Sequence, residues 1–378
     1  MSSTQAVLSE ELSCGKSYRI GVLTLNKAKA MNAVDLAMVG MIGEALERWQ
    51  KDDRIVAVVM RGAGDKAFCA GGDIRQLYDS MQAKGKQRYR YADDFFSGEY
   101  GKNYRVHQFT KPLIAWGQGF VMGGGLGLFI GANHRIGCRS LKLAWPEVRI
   151  GLFPDVAASY YLARLPYPMG HWMGLSASHI NAADARQLKL TQYTLGDDDW
   201  QPMLDALQQL PWQQNRAMNH QQVRTLLTGM TDESGVESHW QAVRQDLHEL
   251  FGNSLESLGH QPMARLDERL RHYHSEHEWL NQGLKNYRDG CPATACLIME
   301  QLRRGARMSL KEVVQWELVL AYQAVRHPDF AEGIRAMVVD KDNAPKWQHR
   351  SAAEVPASWL AQLTASPWNE DEHPLAGL

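Results

Sequence analysis

No sign of charge dominates this chain. Its 41 lysines and arginines meet 42 aspartates and glutamates, so it lacks the basic surplus that nucleic acid or an anionic membrane selects in a partner. A small anionic ligand held by a few local positive groups remains compatible with that balance. Cysteine is scarce: Cys14, Cys69, Cys138, Cys291 and Cys296 are odd in number and widely scattered, which is not a disulfide framework. A reducing compartment follows. Cys291 and Cys296 have no second pair beside them, which argues against a zinc site. The opening Met1-Ser-Ser-Thr-Gln5 has no basic stretch followed by an apolar run, so no targeting segment is read there. Pro112 to Asn133 is uncharged and about as long as a membrane span, but seven glycines interrupt it, each weakening a helix by roughly 1 kcal/mol. That run reads instead as a buried strand, Leu113–Trp116, and a turn leading into a helix. The expectation is a cytoplasmic protein without a membrane partner.

What is present suits a large globular fold. Of 378 residues 44% are apolar and 22% charged, enough for a sizeable core in a chain long enough for one large domain or a domain with a second lobe. The first half alternates strand and helix signals. Tyr18–Leu25, the continuous apolar run Ile55–Met60, Leu113–Trp116, Arg135–Cys138 and Leu141–Trp145 read as strands. Asn32 reads as the cap of a helix whose apolar face is Met38, Met41, Ile42, Ala45, Leu46 and Trp49. Gly62–Gly72 reads as a glycine-bearing loop. Strands alternating with helices imply βαβ units with right-handed crossovers. From Asp197 to about His277 no strand is convincing, and Glu237–Phe251 and Pro262–Tyr273 look helical. Ser309-Leu-Lys-Glu312 is a capping box opening a helix that ends near Pro328; Met337–Asp340 is a last apolar piece. The expected organisation is an α/β core over residues 1–197 and a mainly helical region over 198–378 packed on it.

Three features can carry chemistry. Two glycine-rich turns, Phe68-Cys-Ala-Gly-Gly-Asp73 and Met122-Gly-Gly-Gly-Leu126, follow predicted strands. Neither fits the dinucleotide fingerprint or the P-loop. Glycine lets backbone N–H groups approach a ligand, and two converging N–H groups would hold a developing oxyanion. Taken singly, either turn is equally a tight connection. The third feature is Trp145-Pro-Glu147 followed by Gly151-Leu-Phe-Pro-Asp155. Read plainly, Asp155 caps a helix over Val156–Leu165 and Glu147 is a solvated turn residue. Read chemically, two carboxyls flanking the apolar turn Ile150–Phe153 point into one pocket, where a partly desolvated carboxyl serves as base or nucleophile.

Taken together, Asn32-Ala, Ala67-Phe-Cys-Ala-Gly-Gly-Asp73, Lys111-Pro112, the Gly123–Gly125 turn and Pro146-Glu147 resemble, in order and spacing, the crotonase or enoyl-coenzyme-A hydratase/isomerase superfamily over roughly residues 15–195. The resemblance implies a spiral of βαβ turns and an acyl-coenzyme A ligand. It implies an oxyanion hole from the N–H groups of Gly72 and Gly124, and coenzyme contacts at Lys29, Ala70 and Gly71. Lys29 is equally readable as a surface lysine. Within the superfamily the chain is similar to the branch that hydrolyses 3-hydroxyisobutyryl-coenzyme A in valine catabolism. It carries P-E-x-x-I-G-L-F-P-D in full from Pro146 to Asp155, and Phe330–Trp347 also matches. Gly127 stands where a hydratase has its second catalytic glutamate. The branch's substrate contacts then fall on Glu99, Gly124, Glu147 and Asp155, with Glu147 and Asp155 as the reacting carboxyls.

The implied reaction is hydrolysis of a short 3-hydroxyacyl thioester. Glu147 either attacks the carbonyl to give an anhydride or activates water; Asp155 orients the water or meets the 3-hydroxyl, and Glu99 binds that hydroxyl. No metal or redox cofactor is called for, coenzyme A being part of the substrate, and a homo-oligomer is compatible with the pattern. The chain departs from the branch at Val156-Ala-Ala-Ser159, where glycines usually follow the aspartate; the added methyl groups bear on the acyl pocket or on the tilt of the helix. Hydration or double-bond isomerisation is a rival reading, and a non-catalytic protein of the same fold another. His272, His274 and His277 read as a solvated helix face, and the many Trp and Met residues of the second half as core.

Overall fold

The apolar run at Ile55 becomes an inner strand of a six-stranded sheet. A computed structural model describes residues 5–254 and 262–378; the opening Met1–Thr4, read above for a targeting pattern, lies outside the described residues. The strands are β1 (Val7–Cys14), β2 (Tyr18–Leu25), β3 (Ile55–Gly62), β4 (Ala67–Cys69), β5 (Leu113–Gly117), β6 (Phe120–Met122), β7 (His134–Cys138), β8 (Lys142–Ala144) and β9 (Tyr193–Leu195). The large sheet runs β1-β2-β3-β5-β7-β9, and β4-β6-β8 form a small one. β1 pairs antiparallel with β2, and the remaining pairs of the large sheet are parallel. Covering both faces of a parallel sheet demands apolar residues at consecutive positions, and Ile55 to Met60 are all buried. β2 matches its expected bounds. β1 was not expected, because only Val7 and Cys14 of its eight residues are buried and an edge strand shows no apolar period. β4 interrupts the stretch read as a loop, and with three residues it is too short to show a period.

The chain divides into two compact units. The first comprises Met1–Gly72, Lys102–Leu143 and Ile180–Ser238; the second comprises Asp73–Gly101, Ala144–His179 and His239–Leu378. The boundary expected near residue 197 falls inside the first unit. There the helices Trp200–Gln208 and Arg216–Met230 bury Met203, Leu204, Leu207, Val223 and Leu227 in the same cluster as Ile20, Val22, Val59, Ile114 and Ile136 of the sheet.

Asn32 is not the cap of the first long helix. That helix is Leu36–Lys51, and Asp35 caps it by accepting from Met38 N–H at 2.9 Å. Asn32 is buried with φ 58°. Its Nδ2 donates to the carbonyls of Ala63 at 3.0 Å and Ala67 at 2.9 Å, and its Oδ1 accepts from Lys27 N–H at 3.0 Å. It ties the entry of β4 to the preceding turn, a task to which an amide with both donors and an acceptor is suited.

The second unit is built on helices. His239–Phe251 and Pro262–His272 form as expected, within two residues of their predicted starts. The Ser309–Glu312 capping box is present: Glu312 N–H donates to Ser309 Oγ at 3.3 Å, and Ser309 N–H donates to Glu312 Oε2 at 2.7 Å. It opens the helix Leu310–Ala324, which buries Val313, Val314, Glu317, Leu318 and Ala321. Met337–Val339 belong to a π-helical turn, Arg335–Val339, whose one buried residue is Ala336 and whose cap is Asp340. His272, His274 and His277 are exposed. Among the described residues no helix is long and apolar enough to cross a membrane, so the glycine-rich run at Pro112 is the strand and helix that its glycines imply.

Candidate active site

The glycines of both turns belong to the first unit, and there they meet. After β4 the chain passes Ala70, whose N–H donates to Met31 O at 3.0 Å, and Gly71, whose carbonyl accepts from Val34 N–H at 2.9 Å. Gly71 has φ +114°, a conformation that favours glycine. A Cβ there would lie 3.6 Å from Met122 O and 4.0 Å from Gly124 N, so the second turn passes directly over the first. The helix Gly123–Gly131 starts at this point. At Gly125 a Cβ would sit 2.4 Å from the Cβ of Cys69; glycine is what lets the helix start this close to β4. Gly124 is the second residue of that helix, where backbone N–H groups have no acceptor within the helix. Lys29 lies on the exposed single turn Ala28–Ala30. Gly127 is buried within the helix.

The carboxyl groups expected to react belong to the second unit. Glu99 lies on the helix Arg90–His107, Glu147 opens a single helical turn, Glu147–Ile150, and Asp155 ends the segment that follows. Their exposures are 4%, 3% and 4%, which rules out the solvated-turn reading of Glu147. Tyr100, itself buried, donates its hydroxyl to Asp155 Oδ2 at 2.8 Å. Glu99 Oε1 and Glu147 Oε2 are buried without a hydrogen-bond partner among the described residues. Such atoms are rare in folded proteins and ask for a reason.

Charge sharpens the point. Burial pushes Glu147 well above the usual carboxylate range, and the Asp155 carboxylate pushes it further, with smaller contributions from Glu317 and Glu99. Glu99 is raised by burial and then by Asp155. Burial lifts Asp155 to about 7, against the pull of the Tyr100 hydroxyl and of its own backbone N–H. Burial raises all three, and the Asp155 carboxylate raises the other two as well, so the groups titrate as a cluster and share fewer negative charges than they have carboxyls. Buried carboxyls raised in this way are suited to proton transfer or nucleophilic attack.

Asp155 does not cap a helix with its side chain. The helix that follows is Ala158–Leu162, shorter than expected, with Ala157 at its cap position. The link is made by backbone, Ala158 N–H donating to the Asp155 carbonyl at 3.0 Å. The chain between is strained: Val156 has φ 53° and Ala157 φ 72°. A residue with a Cβ in this region costs on the order of 1 kcal/mol, and a β-branched one is a genuine outlier. Both side chains are buried, as is that of Ala158, which follows them.

Close backbone approaches hold the segment from both sides. A Cβ at Gly333 would be 2.2 Å from Ile150 O, one at Gly151 2.5 Å from Asp329 O, and one at Gly305 1.9 Å from Ser159 O. Cys291 N–H donates to Val148 O at 2.9 Å. Two side chains finish the frame. Glu317 accepts from Ala157 N–H at 2.6 Å and Ser159 N–H at 2.9 Å; Gln301 Nε2 donates to Pro154 O at 2.7 Å and Ser159 Oγ at 2.9 Å. Tyr100, Gln301 and Glu317 were not singled out from sequence. Glu317 had a signal: a lone carboxyl at the step of three and four that otherwise carries Val313, Val314, Leu318 and Ala321.

Comparison with known proteins agrees with the fold. The family model described as enoyl-CoA hydratase/isomerase matches residues 20–364. The mitochondrial 3-hydroxyisobutyryl-CoA hydrolase of Danio rerio is 32% identical over 351 residues, covering 93% of this chain and 88% of the relative. The Homo sapiens protein of the same name is 30% identical over 346 residues, covering 92% and 86%. Among solved structures, an enoyl-CoA hydratase from Rhodobacter sphaeroides 2.4.1 is 31% identical with a TM-score of 0.81, covering 96% of this chain and 98% of that one. A carnitinyl-CoA dehydratase from Mycobacterium thermoresistibile is 28% identical with the same TM-score, covering 96% and 97%. The cytoplasmic expectation does not stand against these relatives, since the hydrolases are mitochondrial enzymes. Scattered cysteines argue for a reducing environment, which more than one compartment offers, and so they could not decide the matter. With the model covering most of its length and relatives of this identity along it, the chain belongs to the enoyl-CoA hydratase/isomerase family of the crotonase superfamily.

Proposed function

We propose that this protein hydrolyses a short 3-hydroxyacyl-coenzyme A thioester, with 3-hydroxyisobutyryl-coenzyme A of valine catabolism as its substrate. The observation that carries the reading is the cluster of Glu99, Glu147 and Asp155, buried together with carboxyl oxygens left unpaired. The hydrolase names of relatives about 30% identical along most of the chain support it.

In this reading the N–H groups of Gly72 and Gly124 polarise the thioester carbonyl, because donors aimed at a developing oxyanion stabilise the transition state. Glu147 in its ionised form attacks that carbonyl or takes the proton of an attacking water. Asp155, steadied by the Tyr100 hydroxyl, orients the water or meets the 3-hydroxyl, and Glu99 binds that hydroxyl. Lys29, Ala70 and Gly71 contact the coenzyme moiety. Thiolate leaves readily, so the carboxyls and N–H groups suffice without a resident metal or redox cofactor, and activity is expected to survive a chelator.

The rival within the family is hydration of an enoyl thioester. Gly127, buried and without a carboxyl where a hydratase places its second glutamate, favours hydrolysis. A panel of acyl-coenzyme A thioesters assayed for free thiol separates the two. Thiol release that is fastest with 3-hydroxyisobutyryl-coenzyme A is the expected result. Loss of the enoyl double bond without thiol release would replace this reading with hydration, and no turnover of any thioester would reject both.

A further inference from the structure

We infer that Glu317 is a positioning residue: its carboxyl group, bridging the N–H groups of Ala157 and Ser159, holds the left-handed Val156–Ala157 step that seats Asp155 against Tyr100. The consequence for rate rests on the hydrolase reading above; the clamp itself does not.

Glu317 is a buried carboxyl. It lies on the buried face of the helix Leu310–Ala324 with no exposure, and no described ion pair includes it. Burial pushes its carboxyl up to about 8, with the N–H and hydroxyl of Ser159 and the N–H of Ala157 pulling the other way. A buried carboxyl without a cation is a poor source of stability, and an apolar residue of similar size often does better. It nevertheless accepts from the two amides that bracket Ala158, immediately after the left-handed pair, and from the Ser159 hydroxyl.

That placement answers the strain. Glycines would adopt the left-handed step without cost, but this chain has Val156 and Ala157 there, at φ 53° and 72°. A conformation of this kind persists only where its surroundings over-determine it. Glu317 fixes the N–H of Ala157 itself. Gln301 fixes the Pro154 carbonyl before the step and the Ser159 hydroxyl after it, and Gly305 admits the neighbouring helix against the Ser159 carbonyl. Asp155 stands between the two straps, with its carboxyl on Tyr100 at 2.8 Å. Were the step to relax to a right-handed backbone, the direction of the chain leaving Asp155 would change and that hydrogen bond with it.

The test compares wild type with Glu317→Ala and Glu317→Gln by amide hydrogen exchange and by steady-state kinetics on 3-hydroxyisobutyryl-coenzyme A. In Glu317→Ala the Ala157 and Ser159 amides should exchange at least about tenfold faster, as local opening becomes easier. In the same variant kcat should fall about ten- to a hundredfold with KM little changed, because misplacing a reacting group by about 1 Å costs up to about a hundredfold. Glu317→Gln keeps one acceptor and should fall between. Adding Ala157→Gly to Glu317→Ala should recover part of kcat, since glycine needs no clamp to hold the step. A role in packing alone would lower thermal stability, leave kcat of the folded protein intact and give no rescue by glycine. That outcome overturns the proposal, as do wild-type exchange rates at both amides in folded Glu317→Ala. If Glu317→Ala does not fold, Glu317→Gln carries the same two readouts. A wild-type protein that turns over no thioester while its two amides are slow, and become fast in the variant, would sink the hydrolase reading and uphold the clamp. Fast amides in wild type would sink the clamp whatever the activity.

Discussion

The first unit offers its candidate groups from the backbone, whereas the second offers them from side chains, and the two are held in place by different means. At the glycine turns the N–H groups carry no titratable charge, and their placement follows from contacts within the first unit: Asn32 on Ala63 and Ala67, Val34 on Gly71, Gly125 against Cys69. The carboxyl segment is buried, charged and strained, and its supports come from far along the chain: Tyr100 from one side in sequence, Gln301, Gly305, Glu317 and Gly333 from the other. The first arrangement adds little cost to folding, since its groups remain backbone amides. The second lowers stability, because each buried carboxyl without a cation is raised against its own ionisation. A site of this kind is expected to lose stability in exchange for poised groups.

The sharpest way to break the comparison is to remove charge from the second unit. Glu147→Gln keeps the shape of the side chain and removes the ionisable oxygen. The rate of thiol release should fall by about a hundredfold to ten-thousandfold, the usual loss with acid–base or nucleophilic chemistry, or about 3–5 kcal/mol in the barrier. Thermal stability at neutral pH should rise or stay level, because a carboxyl raised by burial and by Asp155 is replaced by a neutral group. A large fall in rate with lowered stability would mean that the residue serves the fold instead. The counterpart in the first unit is Gly124→Pro. Proline is tolerated in the first turn of a helix, so the fold should survive while one N–H is lost. The fall in rate should be about a hundredfold to a thousandfold, the range for one oxyanion donor, with the pH dependence of the rate unchanged because nothing that titrates was touched. Near wild-type rates in a folded variant would remove Gly124 from the site.

The same contrast explains what could be read from sequence. The glycine turns, the strand at Ile55 and the capping box at Ser309 are local patterns, each visible within a few residues. The carboxyls Glu99, Glu147 and Asp155 were found through family spacing, and their burial without cations is a tertiary fact that no spacing reports. The supports were harder. Asn32 precedes a helix and has a capping residue's chemistry, yet Asp35 is the cap, because the Asn32 amide is taken by two carbonyls of β4 and its approach. The boundary near residue 197 marked a change from strand signals to helical ones, not a change of core: the helices after it bury Met203, Leu207 and Val223 with the sheet. The left-handed pair at Val156 and Ala157 was invisible because sequence favours glycine at such positions, and here the surroundings override the preference.

A smaller effect tests the stability side of the contrast. Asp155 has an ordinary value of 3.8 and is lifted to about 7 in the fold. Between those values the folded state binds more protons than the unfolded one, so stability falls as pH rises through the window and levels off above about 7. A shift of that size corresponds to roughly 4 kcal/mol on the alkaline side, an upper figure because Glu147 and Glu99 share the proton. Asp155→Asn removes this term while losing part of the Tyr100 contact. Its melting temperature relative to wild type should therefore be lowest near pH 4 and climb by about a few degrees up to pH 7. A difference independent of pH would show that Asp155 is not a raised group. In the first unit, Gly124→Pro should show no such slope, and that flat line is the control.

The smallest effect separates strain from burial within one turn. Val156 and Ala157 both adopt left-handed φ and both are buried, yet substitution by glycine should cost very different amounts of stability. At Ala157 glycine removes roughly 1 kcal/mol of steric cost, gives up one methyl group and adds about 0.4–1 kcal/mol of unfolded-state freedom. The net change should be between neutral and a slight loss, within about 1 kcal/mol. At Val156 the same relief is outweighed by the loss of a side chain whose burial is worth about 1.5–3 kcal/mol and by the cavity left behind. Val156→Gly should therefore destabilise the protein by about 1–3 kcal/mol. Urea unfolding of the two variants reads the difference directly. If Ala157→Gly were the more destabilising of the two, the left-handed step would not be the strained element in this segment, and the contrast with the unstrained first unit would rest on charge alone.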